Sequence, residues 1–434
     1  MRELLDTSSQ RMVNILDTMM TLSNWITVSE LSALIGASER TISSDIDTLR
    51  KRWGTYLNIE VSTKRGLRIN NKNSAIIGNI FIDIFNDSTA LKWLKEILLY
   101  PNNSIEFYEK KLFVSRSTLI RMLPKINKVL NKSEMTVKNK LNRYTIVSKN
   151  EQSLRQFYAC FLIELYGLDF KKFNLDIDLS ILIKIISSIF DHNFDNPLKE
   201  FALNDDIAIL YYPVFYVISL IRENQGYHIE SDHDVSKEIT PEELSYIQKR
   251  FPNISERNIK PIHELIIKYY NGWDSSSEKE LITCEIGHFF ERVLNKNNLH
   301  PDSLILQKLY FIMESLYFTA KIRPFKTSNL FDRIHYFSIS LKRNNPFLYN
   351  LIGENLKIFS DHVSFDMSGK FHDLLFWMCL YYPDLNNYVL AKTALVISDF
   401  GIQHTKFIAS LITGFFNKPG SNVLNITTGS FPYG

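Results

Sequence analysis

The stretch Ile26-Thr27-Val28-Ser29-Glu30-Leu31-Ser32-Ala33-Leu34-Ile35-Gly36-Ala37-Ser38-Glu39-Arg40-Thr41-Ile42-Ser43-Ser44-Asp45-Ile46-Asp47-Thr48-Leu49-Arg50-Lys51-Arg52-Trp53 decides the fold of the N-terminal part. Thr27 followed three residues later by Glu30 is a capping box, so a helix starts there. Leu31, Leu34 and Ile35 supply its inward side. Gly36-Ala37-Ser38 is a turn, because glycine accepts the left-handed backbone that a tight helix–helix junction needs. Ser38 caps the next helix, which runs to about Arg52 with Ile42, Ile46, Leu49 and Trp53 inward. At 100° per residue, the opposite face carries Arg40, Ser44, Asp47, Thr48 and Lys51. With Thr41 near its start, this helix has the character of one that lies in the major groove of duplex DNA.

Working outward, Ser9–Leu22 places Met12, Ile15, Leu16, Met19 and Leu22 on one helical stripe. On the far side, Leu57–Thr63 alternates like a strand, Lys64-Arg65-Gly66 is a basic turn, and Leu67-Arg68-Ile69 returns. A hairpin with Lys64 and Arg65 at its tip, placed after such a helix, is a wing suited to phosphate contact. The same order recurs about 77 positions later. With Ser38 laid on Ser115, Thr41 meets Thr118, Ile42 meets Leu119 and Leu49 meets Ile126. The later helix turns Leu119, Leu123, Ile126 and Leu130 inward. Arg116 follows its cap, and its outward face carries Ser117, Arg121, Lys125 and Lys128. Pro124 should kink it or mark a shorter helix. A second hairpin follows, with Lys138 and a turn near Asn139-Lys140. Ser74–Tyr100, between the units, reads as one apolar helical linker.

Charge agrees with this. Residues 1–150 hold 23 Lys and Arg against 14 Asp and Glu, a net +9, so the remaining 27 and 33 give −6. A basic head on an acidic body expects a polyanionic partner. With 45% hydrophobic residues and only 15 Gly and 13 Pro in 434 residues, the chain should build real cores and be mainly helical. Cys160, Cys284 and Cys379 are too few for a disulfide framework and each reads as a buried small hydrophobe. The polar N-terminus is not a signal peptide. The longest apolar run, Ile207–Ile221, falls short of a membrane span. A cytoplasmic protein without membrane contact is expected.

Beyond residue 150 come apolar helices: Leu154–Tyr166, Ile181–Phe190, Ile207–Ile221, Ser303–Phe318 and Phe371–Tyr382. Two bundles of roughly 110 residues fit this length. In the tail, Thr393–Ser398 is a buried-type strand, Thr405–Phe416 a helix and Asn422–Thr427 a second strand. This βαβ start stops at Gly434, as if the domain were incomplete.

These features together resemble the Mga/AtxA family of regulators of Gram-positive bacteria, which carry PTS regulation domains (PRDs). The resemblance is sharpest at Thr27–Trp53, Ser115–Leu130 and Leu330–Leu351. In the last, His335 precedes an apolar helix and Asn345-Pro346-Phe347-Leu348, like a PRD motif whose histidine accepts phosphate from sugar phosphotransferase proteins. The resemblance therefore implies His335 as the first phosphorylation candidate, with His372, His192 and His228 behind it. In the first bundle Phe215 stands where that histidine would be. The tail resembles a transporter EIIB domain, with Ser398 in place of the nucleophilic cysteine.

The expected divisions are residues 1–72 and 73–150 for two winged helix-turn-helix units, 151–260 and 261–388 for PRD-like bundles, and 389–434 for an EIIB-like α/β segment. The expected function is a transcription regulator of activator type, controlled through its PRD-like domains and by homodimerisation or higher assembly. Expected partners are double-stranded DNA and PTS phosphocarrier proteins. A PTS-linked scaffold that binds no DNA and an RNA-binding antiterminator are the alternatives. The sequence holds no Gly-rich phosphate loop, HExxH or GxSxG, so an enzyme is not expected, nor a cofactor. His228–Asp234 has ligand-type residues, but a solvated acidic loop explains them and no metal is expected.

Overall fold

The computed structural model describes residues 1–22, 24–70, 73–167, 177–193, 206–229, 239–268, 273–295, 299–322, 333–387, 393–397, 402–416 and 425–429. It is mainly helical. The chain divides into two units, one of residues 1–272 with 318–336 and the other of 273–317 with 337–434. Among the described residues no helix is long and apolar enough to cross a membrane.

The first unit opens with α1 (Thr7–Thr21), α2 (Val28–Ile35), α3 (Glu39–Trp53) and the hairpin β1 (Ile59–Ser62) and β2 (Gly66–Ile69). The Thr27–Glu30 capping box starts α2, and Gly36 ends it at φ +73. Val13, Ile15, Leu16, Leu31, Ile42, Leu49 and Trp53 close the core between these helices. Leu34 is 65% exposed rather than inward. Leu31 is fully buried and Ile35 packs, half-buried, against the same core, so only Leu34 departs from the expected inward side. The hairpin is tied back to the chain before α2 by two backbone bonds, Ile26 N–H to Leu67 O (3.0 Å) and Leu67 N–H to Ile26 O (2.7 Å).

Residues 74–99 form two helices, α4 (Ser74–Asp87) and α5 (Thr89–Leu99), rather than one linker. Ser88 breaks the run by leaving the helical region and capping α5, its hydroxyl accepting from Leu91 N–H. The chain continues through β3 (Asn103–Ser104), α6 (Ile105–Leu112), α7 (Arg116–Leu130), β4 (Met135–Lys140) and β5 (Arg143–Ser148). The sheet order is β3-β5-β4, antiparallel throughout. Trp93, Tyr108 and Tyr144 pack tilted or edge-on at 5.8–6.4 Å between centroids and join α5, α6 and β5. The helix runs unbroken through Pro124, which is exposed, while Leu119, Ile126, Val129 and Leu130 anchor both halves. The second hairpin turns at Leu141-Asn142, two residues beyond Asn139-Lys140, with both residues at positive φ. That is the mirror-image two-residue turn that suits twisted strands.

The body of the same unit is α8 (Glu151–Tyr166), α9 (Leu179–Asn193), α10 (Asp206–Asn224), α11 (Pro241–Gln248) and α12 (Glu256–Lys268). The division expected at 260/261 falls inside α12. One buried apolar cluster runs from Leu4 to Ile266, so the capped helices and this body share a core.

The other unit holds α13 (Ser276–Asn295), most of α14 (Ser303–Ile322) and of α15 (Arg333–Asn344), α16 (Pro346–His362), α17 (Phe371–Tyr381) and α18 (Asp384–Asn387). Asn345 caps α16 by accepting from Leu348 N–H at 3.1 Å, with Pro346 in the first turn where a missing N–H costs nothing. Cys160 and Cys379 are buried, but Cys284 is exposed, because α13 buries Ile282, Ile286 and Phe289 on its other side. The tail is β6 (Thr393–Ile397), α19 (Ile402–Phe416) and β7 (Asn425–Gly429), with β6 and β7 parallel in register.

Candidate nucleic-acid interface

The two capped helices repeat in detail. Ser38 Oγ accepts from Thr41 N–H at 3.2 Å, and Ser115 Oγ from Thr118 N–H at 3.4 Å. The hydroxyl pairs Ser38–Thr41 and Ser115–Thr118 are 2.8 and 2.9 Å apart. α3 and α7 are each 15 residues long. The turn residue before each helix is left-handed, Gly36 in one unit and Phe113 in the other.

On α3, Arg40, Ser44, Asp47, Thr48 and Lys51 are exposed along one side. Thr41 is half-buried and its hydroxyl belongs to the cap. Thr48 returns its hydroxyl to Ser44 O at 2.9 Å. Lys64 and Arg65 are exposed at the first hairpin's turn. On α7, Arg116, Ser117, Arg121, Lys125 and Lys128 are exposed, as are Lys138 and Lys140 on the second hairpin. Arg116 differs from the rest: its guanidinium lies 3.4 Å from Glu106 and its N–H is held by Glu109.

The sequence reading missed three features that fix these helices. Asp45 sits on α3 but turns inward, 5% exposed, and binds Arg11 of α1 through both carboxylate oxygens. That bond raises the Arg11 pKa and holds its charge. Asn127 of α7 donates to Val137 O (3.1 Å) and accepts from Val137 N–H (2.7 Å), which locks helix to hairpin. Glu106 receives Asn142 Nδ2 at 2.9 Å from the hairpin tip. The Ser104 hydroxyl, its own N–H and Asn142 hold its pKa below the ordinary carboxylate range. Polar residues on a helix surface give no periodic signal that would reveal such partners.

The second unit is also bonded to the helical body. Tyr227, just after α10, meets Asn102 Nδ2 at 3.0 Å and Thr145 Oγ1 at 3.3 Å. Behind it, Arg155 is fully buried and donates to Glu223 Oε1 and Tyr227 O, both at 2.7 Å. Arg222 donates to both oxygens of Glu151 at 2.7 and 2.8 Å. Burial lowers the Arg155 pKa despite these carboxylates. Burial opposes the charge on Glu223, but bonds from His228 and Arg155 outweigh it and hold its pKa low.

The histidines are dispersed. His335 is exposed on α15, beside Arg2, Asp17, Thr18, Thr21 and Tyr336 in a cleft of about 290 Å³. His228 binds Glu223 through Nδ1 at 2.6 Å. His372 is half-buried at the start of α17. Phe215 is fully buried. The side chain of His192, the loop 230–234 and Ser398 lie outside the described residues. Among the described residues, no three His, Cys, Asp or Glu side chains gather as metal ligands.

A pair of capped helices in tandem, each following a short helix and a left-handed turn, defines the class: a helix-turn-helix protein. Comparison narrows it. Residues 75–162, α4 to most of α8, match the Mga helix-turn-helix domain. A protein of Streptococcus pneumoniae serotype 4 described as a trans-acting regulator is 28% identical over 166 residues, 38% of this chain and 33% of that protein. The match thus spans a third of that relative's length. The helix-turn-helix region of this chain is similar to that of Mga-like transcription regulators, in agreement with the sequence resemblance.

Proposed function

We propose that the chain is a DNA-binding transcription regulator whose two N-terminal units are winged helix-turn-helix domains that read duplex DNA together. The observation that carries this is the 77-residue repeat, in which two Ser-capped helices of equal length each expose a polar or basic side and are each followed by a hairpin bearing lysine. The proposed contacts are Arg40, Ser44, Thr48, Lys51, Lys64 and Arg65 in the first unit. In the second they are Ser117, Arg121, Lys125, Lys128, Lys138 and Lys140. Thr41 positions rather than reads, and Arg116 is shared with Glu106. The helical parts act as PRD-like control domains and the tail as an EIIB-like module, with homodimerisation bringing two heads to a symmetric site. His335 is the proposed acceptor of phosphate from PTS phosphocarrier proteins.

Binding to duplex DNA, measured by gel shift across salt concentrations, tests the reading. Each phosphate neutralised should contribute about −0.9 to the log–log slope. Arg121→Ala with Lys125→Ala should weaken binding more than Arg40→Ala with Ser44→Ala, because the α7 side carries no acid while α3 exposes Asp47. A flat salt response, or equal affinity for RNA, would overturn it.

A further inference from the structure

Two large apolar side chains of the second unit stand almost wholly in solvent where the backbone disfavours them. Phe113, 95% exposed, has φ +53 at the turn before α7. Leu141, 90% exposed, has φ +51 at the hairpin tip. Left-handed backbone favours Gly or Asn, and the first unit uses Gly36 at the place of Phe113. Neither side chain gains from burial, so the fold on its own gains nothing from either.

Both lie at one end of the unit. Arg116, three residues after Phe113, and Asn142, next to Leu141, meet on the same Glu106 carboxylate at 3.4 and 2.9 Å. Exposed cations flank each apolar group: Lys110 and Arg116 beside Phe113, Lys140 and Arg143 beside Leu141. The nearby acids are both engaged, Glu106 by Asn142 and Arg116 and Glu109 by the Arg116 N–H. Apolar tips ringed by positive charge match a partner with an anionic rim and an apolar interior. Duplex DNA is such a partner, with phosphates outside and stacked bases within.

We propose that Phe113 and Leu141 form an apolar pair that presses into DNA. Leu141 enters the minor groove beside the hairpin and opens a base step, and Phe113 packs on bases or sugars where α7 enters the major groove. The second unit then prefers duplexes whose steps deform readily. This rests on the DNA-binding reading above and extends it.

The test uses the full chain and two fluorescent duplexes of about three turns (~30 bp), one rich in TA and CA steps and one built of A-tracts. Phe113→Gly and Leu141→Asn suit left-handed backbone, so the variants keep the fold. The wild type should bind the flexible duplex at least about fivefold tighter than the stiff one, and the double variant should lose about tenfold on the flexible duplex. The salt slope should stay the same, since no charge changes. Energy transfer between the duplex ends should report bending by the wild type and less by the variant. Equal affinity and bending for both proteins would overturn the proposal. If light scattering shows the variant changing its assembly while DNA binding is unaltered, the pair is a self-contact and the proposal is likewise wrong. If the wild type binds neither duplex, the DNA-binding reading itself fails, a separate result.

Discussion

Gly66→Ala is the sharpest perturbation of the first unit. Gly66 has φ +95, and a Cβ there would lie 2.2 Å from the carbonyl oxygen of Ile26 and 2.7 Å from Thr27 Cα. The obstacle is backbone, so no side chain can swing aside. Left-handed backbone costs an alanine about 1–2 kcal/mol. Moving the strand away also breaks the two Ile26–Leu67 backbone bonds, each worth about 1 kcal/mol net. The local cost is therefore about 3–4 kcal/mol, roughly a hundredfold or more in the opening equilibrium. Gly36 provides the control. It is also left-handed, at φ +73, but nothing lies within 4 Å of its would-be Cβ, so Gly36→Ala should cost only about 1–2 kcal/mol. Hydrogen exchange of the intact chain reads both at the Leu67 amide. Protection there should fall far more in Gly66→Ala, while Val137 and Ile146 of the second hairpin keep theirs. Equal loss at Leu67 in the two variants would refute the backbone-clash argument.

Three further outcomes follow from the same structure. Light scattering at micromolar concentration should give at least twice the 50.7 kDa chain mass; a monomer that still binds its site tightly would exclude homodimeric reading of DNA. Incubation with phosphotransferase proteins should label His335, and His335→Ala should abolish that label; the added charge would sit beside Asp17 and compete for Arg2. Labelling confined to other histidines would reject the assignment. Glu223→Gln should destabilise the part of the chain that holds residues 1–272 by up to about 3 kcal/mol at neutral pH, because buried Arg155 keeps only Glu151 at 3.2 Å as a carboxylate partner. The folded pKa of Glu223 lies below its ordinary 4.5, so its contribution is present above that value and is lost as pH falls through the folded pKa. The gap between variant and wild type, followed by fluorescence-monitored unfolding, should close in acid; a gap that stays constant would count against the ion pair.

What the sequence disclosed and what it hid divide along a physical line. Ser38 and Ser115 could be read because a cap is decided by groups three residues apart, and α3 because its apolar period is long. The β6-α19-β7 order was also readable, since an apolar strand, a helix and another strand imply a parallel crossover. Features decided by distant partners gave no such signal. Asp45 reads as one more exposed acid until Arg11 of α1 is placed against it. The break at Ser88, by contrast, carries a local signal, the polar run Asn86-Asp87-Ser88-Thr89 set between two apolar stretches. The turn at Leu141-Asn142 was missed because neighbouring Asn139 is the commoner turn residue, whereas the ladder bonds of Asn139 and Lys140 to Tyr144 and Arg143 set the register. Pro124 argued for a broken helix, yet the anchoring of Leu119 on one side and Ile126 and Leu130 on the other outweighs one lost bond.

The departures from local preference also fall unevenly. At the corresponding turn the first unit uses glycine, and the second uses phenylalanine, with leucine at its hairpin tip. Both sit in the unit that matches the Mga domain and that Tyr227 fastens to the helical body. A rearrangement of the Arg155–Glu223–Glu151–Arg222 network would act on Tyr227 and so on β5, whose hairpin carries Leu141 and Lys140. Among the described residues the first unit shows no such tether at its hairpin, which is held by Ile26 of its own chain segment. The two units are thus built alike and fastened differently. Named hydrogen bonds join the helical body to the second hairpin, whereas the first unit meets the later helices through the shared apolar core and through Tyr336, whose hydroxyl donates to Asp17 of α1.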